Sequence, residues 1–329
     1  MPAYNAETYL NEAIRSALEQ TLKDLELVII NDGSTDRTAE IARSFKDSRI
    51  RVIENKMNSG LVAVRNQAIA LAQGEYIAWL DADDIALPSR IEKQVRFLDA
   101  HPDFALVGTW VELIDRHGHK TGVHWKNRAK PEDMRAALFF GNQFTQSAVM
   151  IRKSDLPDSA YRNEYAPAED YDLWIRLAEK KNLANLPKIL TRYRVLPKSA
   201  SHGGEGYGQA KTRVAADNLA RLGITPTDEE YILHQTNFDY QGGNEKDFLK
   251  KRENWLLKLI EANDKKKVFD IASFRKVAGE RWLSSCRANA EGKKTWKRCW
   301  HSPLARSISK TERGRDIAKL FVACIIMKP

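Results

Sequence analysis

The amino-acid sequence predicts an α/β fold, because strand-like and helix-like segments alternate through its first hundred residues. Short apolar runs that end at turn residues indicate strands, whereas apolar residues that recur every three to four positions indicate helices. Such alternation is typical of folds in which a helix connects one parallel strand to the next. We therefore expect a Rossmann-like, mostly parallel sheet flanked by helices.

The predicted strands are apolar runs bounded by polar or turn-forming residues. Two of them run directly into acidic sequences, DGSTD and DADD, which places carboxylates at the carboxyl ends of strands. Three strands fall in the first hundred residues and two in the more mixed region that follows. They are Glu26–Asn31, Arg51–Glu54, Tyr76–Leu80, Ala105–Leu113 and Ser147–Ile151.

The predicted helices carry apolar residues on one face. Pro88 precedes one of them and suits a first helical turn, where its missing N–H costs nothing. From residue 206 onward the pattern is mainly helical, so we expect an α/β domain over 1–205 and a helical extension over 206–329. The helices predicted in the first domain are Ala6–Leu18, one opening at Thr35, Leu61–Ala72, Arg90–Ala100 and Asp170–Lys181.

The net charge of +9 is concentrated in the last quarter of the chain. Residues 241–329 hold 22 Lys and Arg but only 10 Asp and Glu, and the stretch Ile317–Ile325 has the spacing of an amphipathic helix. Such a tail either packs on the main domain or contacts anionic membrane. No nucleic-acid-binding motif accompanies the charge, so we expect no nucleic-acid partner.

The sequence shows neither an apolar stretch long enough to span a membrane nor a signal peptide. Its three cysteines, Cys286, Cys299 and Cys324, are sparse and far apart, which fits a reducing compartment. We therefore expect the protein in the cytoplasm, with contact to the inner face of the cell membrane as a further expectation.

Carboxylates at strand ends are the first candidates for chemistry, because ligands of open parallel sheets bind at that edge. Asp81, Asp83 and Asp84 follow one strand, and three carboxylates so close repel each other unless a cation offsets their charge. Such a set suits Mg²⁺ or Mn²⁺, which would hold a diphosphate. Asp32 and Asp36 follow another strand, and for Asp36 we favour a role in capping the next helix.

Glu169 and Asp170 form a second acidic pair, at the start of a helix. The helix dipole alone would stabilise them there, but a carboxylate is also a suitable general base for a hydroxyl group. The motifs of dinucleotide-binding proteins, P-loop proteins and α/β hydrolases are absent, which argues against those three classes.

Several segments, in order along residues 1–205, together resemble the family-2 inverting glycosyltransferases of the GT-A fold. Any one of them would be a weak signal, but the ordered series is a specific one. The segments are Pro2-Ala3-Tyr4-Asn5, Asn31–Asp36, Asn58–Asn66, Gly74–Asp84, Glu169-Asp170 with Leu173-Trp174, and Tyr193-Arg194 with Ser199 and Ser201.

The resemblance implies a role for each matching position. Asp170 would be the general base, Asp83 the main ligand of a divalent metal with Asp81 beside it, and Glu169 and Arg194 would support the donor site. The acceptor hydroxyl would attack the anomeric carbon opposite the diphosphate and invert its configuration. The implied nucleotide pocket consists of Pro2, Ala3, Tyr4, Asn5, Asp32, Gly60, Arg65, Asn66, Asp81 and Ala82.

Two departures from the family pattern stand out. Leu196 lies where many relatives carry a histidine, and the nearest histidine is His202. Relatives also have an apolar strand before the PxYN loop, whereas Met1 directly precedes that loop here. We therefore expect the first strand to be missing or truncated, either because the true start lies upstream or because the chain is an inactive relative.

The sequence thus predicts a metal-dependent inverting glycosyltransferase that uses a nucleotide-sugar donor. A saccharide or lipid-linked acceptor would place it in the synthesis of cell-surface polysaccharide or glycoconjugate. Two alternatives stay open: a catalytically inactive, transferase-like binding or scaffold protein, and a sugar nucleotidyltransferase. The second would need a glycine-rich basic loop near its first strand, which this sequence lacks.

Overall fold

A computed structural model describes residues 1–197, 205–235, 247–289 and 293–307. The chain forms two compact units. The first consists of Met1–Met134 with Asn142–Lys211, and the second of Arg135–Gly141 with the chain from Thr212 onward. The main division thus falls six residues beyond the predicted one at residue 205, and a short segment before residue 142 belongs to the second unit.

The first unit begins with a three-stranded, fully parallel sheet of order β1-β2-β3. Every residue of β2 is buried, as expected of a strand covered on both faces. Where the sequence indicated a missing or truncated first strand, Pro2 and Ala3 form a two-residue strand that pairs with Ile30 and Asn31 of β2. The strands are β1 (Pro2–Ala3), β2 (Leu27–Asp32) and β3 (Ile50–Asn55).

A second sheet of six strands has the order β4-β8-β6-β9-β5, with β7 paired to β6. Among its described strands only β6 and β9 pair in parallel, so within the described residues the expectation of a mostly parallel sheet holds for β1–β3 and for this pair. A short turn joins β6 to β7, and such a connection permits only antiparallel pairing. The strands are β4 (Tyr76–Ala78), β5 (Ile85–Ala86), β6 (Phe104–Ile114), β7 (Lys120–Trp125), β8 (Met150–Arg152) and β9 (Asn182–Arg194).

The helices of the first hundred residues follow the apolar spacing in the sequence. In α1, for example, Leu10, Ala13 and Ile14 are buried, and these positions share one face of a helix. The six helices up to residue 178 are α1 (Leu10–Leu18), α2 (Thr38–Ser44), α3 (Leu61–Leu71), α4 (Arg90–Ala100), α5 (Met134–Phe140) and α6 (Glu169–Ala178).

The second unit is helical and has its own aromatic core. Phe139, Trp255, Phe274 and Trp282 are all buried in one cluster. No helix within the described residues is long and apolar enough to cross a membrane. The predicted amphipathic stretch Ile317–Ile325 lies outside the described residues. The remaining helices are α7 (Glu205–Arg221), α8 (Asp228–Gln235), α9 (Phe248–Lys266), α10 (Ile271–Ala288), α11 (Lys293–His301) and α12 (Pro303–Arg306).

A glycine lets the turn after β2 lie directly against the loop after β3. Gly33 has φ of +69°, a conformation that favours glycine, and a Cβ there would lie 2.6 Å from the carbonyl carbon of Met57. The same Cβ would lie 2.7 Å from the amide nitrogen of Asn58. The two loops that carry candidate site residues are therefore in backbone contact.

The substitution Gly33→Ala tests this contact, with Gly122→Ala as a matched control. Gly122 has a similar φ of +78° but open space around a Cβ, so alanine there meets backbone strain without a clash. We expect Gly33→Ala to lower the unfolding free energy by about 1–3 kcal/mol more than the control, because the clash involves backbone atoms. Thermal unfolding followed by circular dichroism measures both, and equal midpoints would contradict the contact.

Candidate active site

Asp32 ends β2, and its carboxylate is held by donors from the last residue of β3 and from the loop that follows it. Its Oδ1 accepts from Asn55 Nδ2 at 2.8 Å and Ser59 Oγ at 2.7 Å. Its Oδ2 accepts from the amides of Ser59 at 2.9 Å and Gly60 at 3.0 Å. Burial alone would raise the pKa of Asp32, but these hydrogen bonds lower it below its ordinary value. All four acceptor positions are filled, so a nucleotide base could bond this carboxylate only by displacing one of them.

The opening loop after β1 interlocks with the turn after β2. Asn5 has φ of +48° and donates its amide to Ser34 Oγ at 3.0 Å. In return, the amide of Thr35 donates to Asn5 Oδ1 at 2.9 Å. Tyr4 is left 52% exposed, so its ring faces solvent beside this turn. The loop thus exposes an aromatic ring next to a segment that is held by two hydrogen bonds.

Asp36 bonds the start of α2, although Arg37 and not Asp36 occupies the N-cap position predicted for it. Its carboxylate accepts from the amide of Thr38, at the start of α2, at 2.9 Å and from the amide of Glu7 at 3.0 Å. These hydrogen bonds lower the pKa of Asp36 against the opposing effect of burial. Asp36 therefore bonds the first amide of α2 from the position before its N-cap, Arg37, and fastens the opening loop to the helix.

The acidic loop, residues Asp81–Asp84 after β4, is fixed at both ends. The amide of Asp81 donates to Ser147 Oγ at 3.0 Å, and the amide of Ala86 donates to Ser16 Oγ at 3.1 Å. Burial and the neighbouring charge of Asp81 raise the pKa of Asp83. Burial and the charges of Asp83 and Asp81 likewise raise the pKa of Asp84. The loop therefore concentrates negative charge that is only partly compensated by the chain.

Arg90 of α4 is wholly buried beneath this loop. It donates to the carbonyl of Trp79 at 2.7 Å and to that of Val149 at 3.2 Å. Burial lowers the pKa of Arg90 to about 10, while the charges of Asp84 and Asp81 oppose that shift. A buried cation therefore ties the ends of β4 and β8 together at the base of the acidic loop.

Arg65 of α3 connects the acidic loop to the acidic pair of α6. Its guanidinium forms a buried ion pair with Glu169 and lies 3.9 Å from Asp81. It also lies over the ring of Tyr161, 5.5 Å from the ring centre. Burial would lower the pKa of Arg65, but the charges of Glu169 and Asp81 raise it. The acidic loop and the start of α6, which are far apart in the sequence, thus both interact with the guanidinium of Arg65.

Asp170 lies next to the Arg65–Glu169 ion pair and is only partly exposed. Its carboxylate accepts from Asn142 Nδ2 at 3.1 Å and from the amide of Tyr171 at 2.6 Å. Burial, and then the charge of Glu169, raise the pKa of Asp170 to about 6, although Arg65 acts in the opposite direction. A carboxyl group with such a pKa is ionised at neutral pH and more basic than an ordinary aspartate.

The structure brings several of the predicted site residues together. Asp81, Arg65, Glu169 and Asp170 form one continuous charged network, and Asp32 bonds Gly60 at the start of the helix that carries Arg65. Pro2 and Ala3 lie in β1, and Ala82 is buried in the core beside α1.

Two predicted residues bond the protein rather than lie open to a ligand. Asn66 exchanges hydrogen bonds with the backbone of Tyr161, from Nδ2 at 2.8 Å and to Oδ1 at 3.0 Å. Arg194 is 2% exposed in its side chain and bonds the acidic loop, so its guanidinium is closed off from solvent. Ser199 and Ser201, which the resemblance included, lie outside the described residues.

Several partners of the site were not identified from the sequence. Asn142 bonds Asp170 from 28 positions away, Tyr161 lies under Arg65, and Glu12 pairs with Arg194 across 182 positions. Each is an ordinary residue without a motif, so only the fold shows its role. Among the described residues, no group of three or more His, Cys, Asp or Glu side chains is arranged to hold a metal ion.

Comparison with known proteins places this arrangement in a family. A family model described as glycosyl transferase family 2 matches residues 1–157. An uncharacterized glycosyltransferase of Methanocaldococcus jannaschii is 35% identical over 200 residues, which cover 59% of this chain and 69% of the relative. The chain belongs to glycosyl transferase family 2. This confirms the family indicated by the ordered motifs.

Two further relatives extend the family match. An uncharacterized glycosyltransferase of Haemophilus influenzae is 36% identical over 204 residues, covering 59% of this chain and 63% of the relative, so the match spans less than two thirds of that protein. Escherichia coli WfaP, named UDP-Glc:alpha-D-GlcNAc-diphosphoundecaprenol beta-1,3-glucosyltransferase, is 32% identical over 200 residues, covering 60% of this chain and 77% of WfaP.

Solved structures show the same fold. S. aureus TarS 1-349, in complex with UDP-GlcNAc, matches 98% of this chain and 88% of the TarS chain with a TM-score of 0.54 and 18% sequence identity. Family membership and this likeness confirm the predicted GT-A fold.

The raised pKa of Asp170 gives a direct test of the site geometry. Glu169→Gln removes the neighbouring negative charge, so we expect the pKa of Asp170 to fall from about 6 toward its ordinary value of 3.8. Carbon-detected NMR of the side-chain carboxyl groups measures the titration. Asp158→Asn, at an exposed aspartate, serves as the control and should leave the pKa of Asp170 unchanged. An unchanged pKa in Glu169→Gln would contradict the coupling.

Proposed function

We propose that the protein transfers a sugar from a nucleoside diphosphate donor to an acceptor hydroxyl with inversion at the anomeric carbon. The observation that carries the proposal is the position of Asp170, a half-buried carboxyl that accepts from Asn142 beside the Arg65–Glu169 pair, in a chain of glycosyl transferase family 2. Arg65 and Glu169 link it to the acidic loop, so a base and a diphosphate-binding region would face the same substrate.

The donor nucleotide would bind beside the opening loop. Tyr4 offers a ring that is half exposed, and Asp32 holds Ser59 and Gly60 of the loop after β3 through their amides. Aromatic rings of this kind stack on nucleobases. Because WfaP is named for UDP-Glc and TarS was solved with UDP-GlcNAc, we propose a UDP-sugar as the donor.

A divalent cation, Mn²⁺ or Mg²⁺, fits the acidic loop. The chain supplies carboxylates, the ligands that these ions prefer, and burial followed by the like charge of Asp81 raises the pKa of Asp83. Magnesium commonly uses only one or two protein carboxylates together with phosphate oxygens, so the absence of a larger cluster in the described residues is compatible with it. When bound by Asp83 and Asp81, such an ion would stabilise the charge on the departing diphosphate.

Asp170 would act as the general base. Its carboxylate takes the proton of the acceptor hydroxyl while the oxygen attacks the anomeric carbon, and the bond to the diphosphate breaks on the opposite face. Asn142 would keep the carboxylate oriented through its 3.1 Å hydrogen bond to Oδ2. The raised pKa makes Asp170 more basic than an exposed aspartate without protonating it at pH 7.

Calorimetric titration of nucleoside diphosphates, with and without Mn²⁺, tests the donor site. We expect UDP to bind more tightly with Mn²⁺, and Asp83→Ala to lose that dependence because it removes the main metal ligand. Asp170→Asn should bind UDP normally but transfer sugar about 10²–10⁴-fold more slowly, because the amide cannot accept the proton. Transfer is measured by release of UDP from UDP-sugars in the presence of candidate acceptors.

Each possible result has a definite meaning for the proposed function. Folded protein that binds none of a panel of uridine, thymidine and guanosine diphosphates would favour the scaffold alternative. Near-normal transfer by Asp170→Asn would exclude Asp170 as the base. Product with the donor's anomeric configuration would contradict inversion.

We further propose a lipid-linked saccharide acceptor and contact with anionic membrane. WfaP is named for an acceptor on diphosphoundecaprenol, and residues 241–329 carry an excess of 12 positive charges. Within the described part of this region, α11 exposes Lys294 and Lys297. Basic helices of this kind are attracted to anionic lipid headgroups.

Co-sedimentation with vesicles tests the membrane contact. We expect binding to phosphatidylglycerol-containing vesicles but not to neutral phosphatidylcholine vesicles, weakening by about 1 kcal/mol for each positive charge removed near the surface. Lys294→Glu combined with Lys297→Glu should reduce binding, whereas the same changes at Lys23 and Lys46, exposed lysines of the first unit, should not. Equal binding by both double variants would contradict a role for α11.

A further inference from the structure

The side chain of Arg194 lies at the centre of contacts that converge on the acidic loop. This last residue of β9 is 2% exposed in its side chain, although a guanidinium is costly to bury. Its Nε donates to the carbonyl of Asp83 at 2.8 Å, and its backbone amide donates to Asp84 Oδ1 at 2.8 Å. One residue therefore bonds two consecutive positions of the loop proposed to bind the metal.

The two terminal nitrogens and the face of the guanidinium contact the β6–β7 turn and the start of α1. One terminal nitrogen donates to the carbonyl of Asp115, in the β6–β7 turn, at 3.2 Å. The other donates to Glu12 of α1 at 2.6 Å. The ring of Tyr9, just before α1, lies 4.3 Å from the guanidinium carbon and provides a cation–π contact. These contacts close Arg194 off from any ligand.

The geometry points to Arg194 as a positioning residue that holds the Asp81–Asp84 loop in the conformation needed for a metal–diphosphate complex, with Glu12 as its counterion. This inference rests on the proposed function for the purpose of the loop, but the anchoring itself is independent of it. The sequence predicted that Arg194 would support the donor site, and by this inference it does so through the loop rather than by contacting a ligand.

The position of the anchor explains why an arginine is needed. The loop is fastened at its first residue by Ser147, and Ser16 bonds Ala86 just beyond its far end; Arg194 adds bonds to Asp83 and Asp84 between these points. Only a planar guanidinium offers donors in several fixed directions at once, whereas a lysine ammonium would keep the charge but lose this geometry. Glu12 is 54% exposed in its side chain, so it can be changed without opening the core.

Amide hydrogen exchange on metal-free, nucleotide-free protein tests the anchoring directly. In Arg194→Lys we expect the amides of Asp84 to Ala86 to exchange about tenfold faster, as the loss of a hydrogen bond to a charged group implies. Glu12→Gln should act in the same direction by a smaller factor. The matched control is Glu19→Gln, at an exposed glutamate at the end of α1, and it should leave the loop unchanged.

Calorimetry with UDP and Mn²⁺ gives the functional readout. We expect Arg194→Lys and Glu12→Gln to weaken Mn²⁺-dependent UDP binding, with little effect on UDP binding measured without metal. Failure of the wild-type protein to bind UDP would count against the proposed function, while the exchange data would still decide the anchoring.

Two results would overturn the inference. Exchange in the variants that stays at the wild-type rate from Asp84 to Ala86 would show that Arg194 does not hold the loop. Exchange that accelerates equally in the loop and in β2 and β6 would show that Arg194 supports the whole unit rather than this segment.

Discussion

Buried arginine side chains hold the acidic loop and the acidic pair of α6 in this protein, and the geometry of the candidate site depends on them. Arg65, Arg90 and Arg194 are each 5% exposed or less. A buried guanidinium needs hydrogen-bond acceptors on several sides, so each one fixes the backbone carbonyls and carboxylates around it. Removing any of them would leave buried acceptors and charges without compensation, which is costlier than losing an exposed ion pair.

The three arginines have different tasks because their acceptors differ. Arg90 bonds backbone carbonyls and ties strand ends together beneath the acidic loop. Arg65 pairs with Glu169 and lies near Asp81, so it balances charge between two acidic regions. Arg194 bonds the acidic loop from the side. The arginines therefore fix the shape of the loop.

The buried positive and negative charges around Asp170 also set the pKa of its carboxyl group. Burial and the charge of Glu169 raise its pKa, while Arg65 limits the rise by pairing with Glu169 and by its own positive charge. A fully compensated carboxylate, such as Asp32 with its four donors, has a lowered pKa and is a poor base. The contrast between these two aspartates follows from their partners and fits a structural role for one and a chemical role for the other.

The sequence by itself determined the early elements and the family. Periodicity located α4 at Arg90–Ala100, as predicted, and β2 to within one residue, because these elements have a strong local pattern. The ordered motifs identified glycosyl transferase family 2, since each motif is a short, contiguous stretch. Local patterns could not identify β9, whose register shifts near Pro187 and whose pairing depends on β6, some 80 positions away.

Only the tertiary structure decided the partners of the site residues. Asn142 with Asp170, Arg65 with Glu169, and Glu12 with Arg194 are pairs that no sequence spacing indicates, because the chain brings them together through strands and helices far apart in order. Burial was also a tertiary property: Arg194, which the sequence predicted to support the donor site, is enclosed by contacts with the protein itself. The motifs thus identified candidate site residues, while the fold determined which of their side chains are bound by other parts of the protein and which are exposed to a substrate.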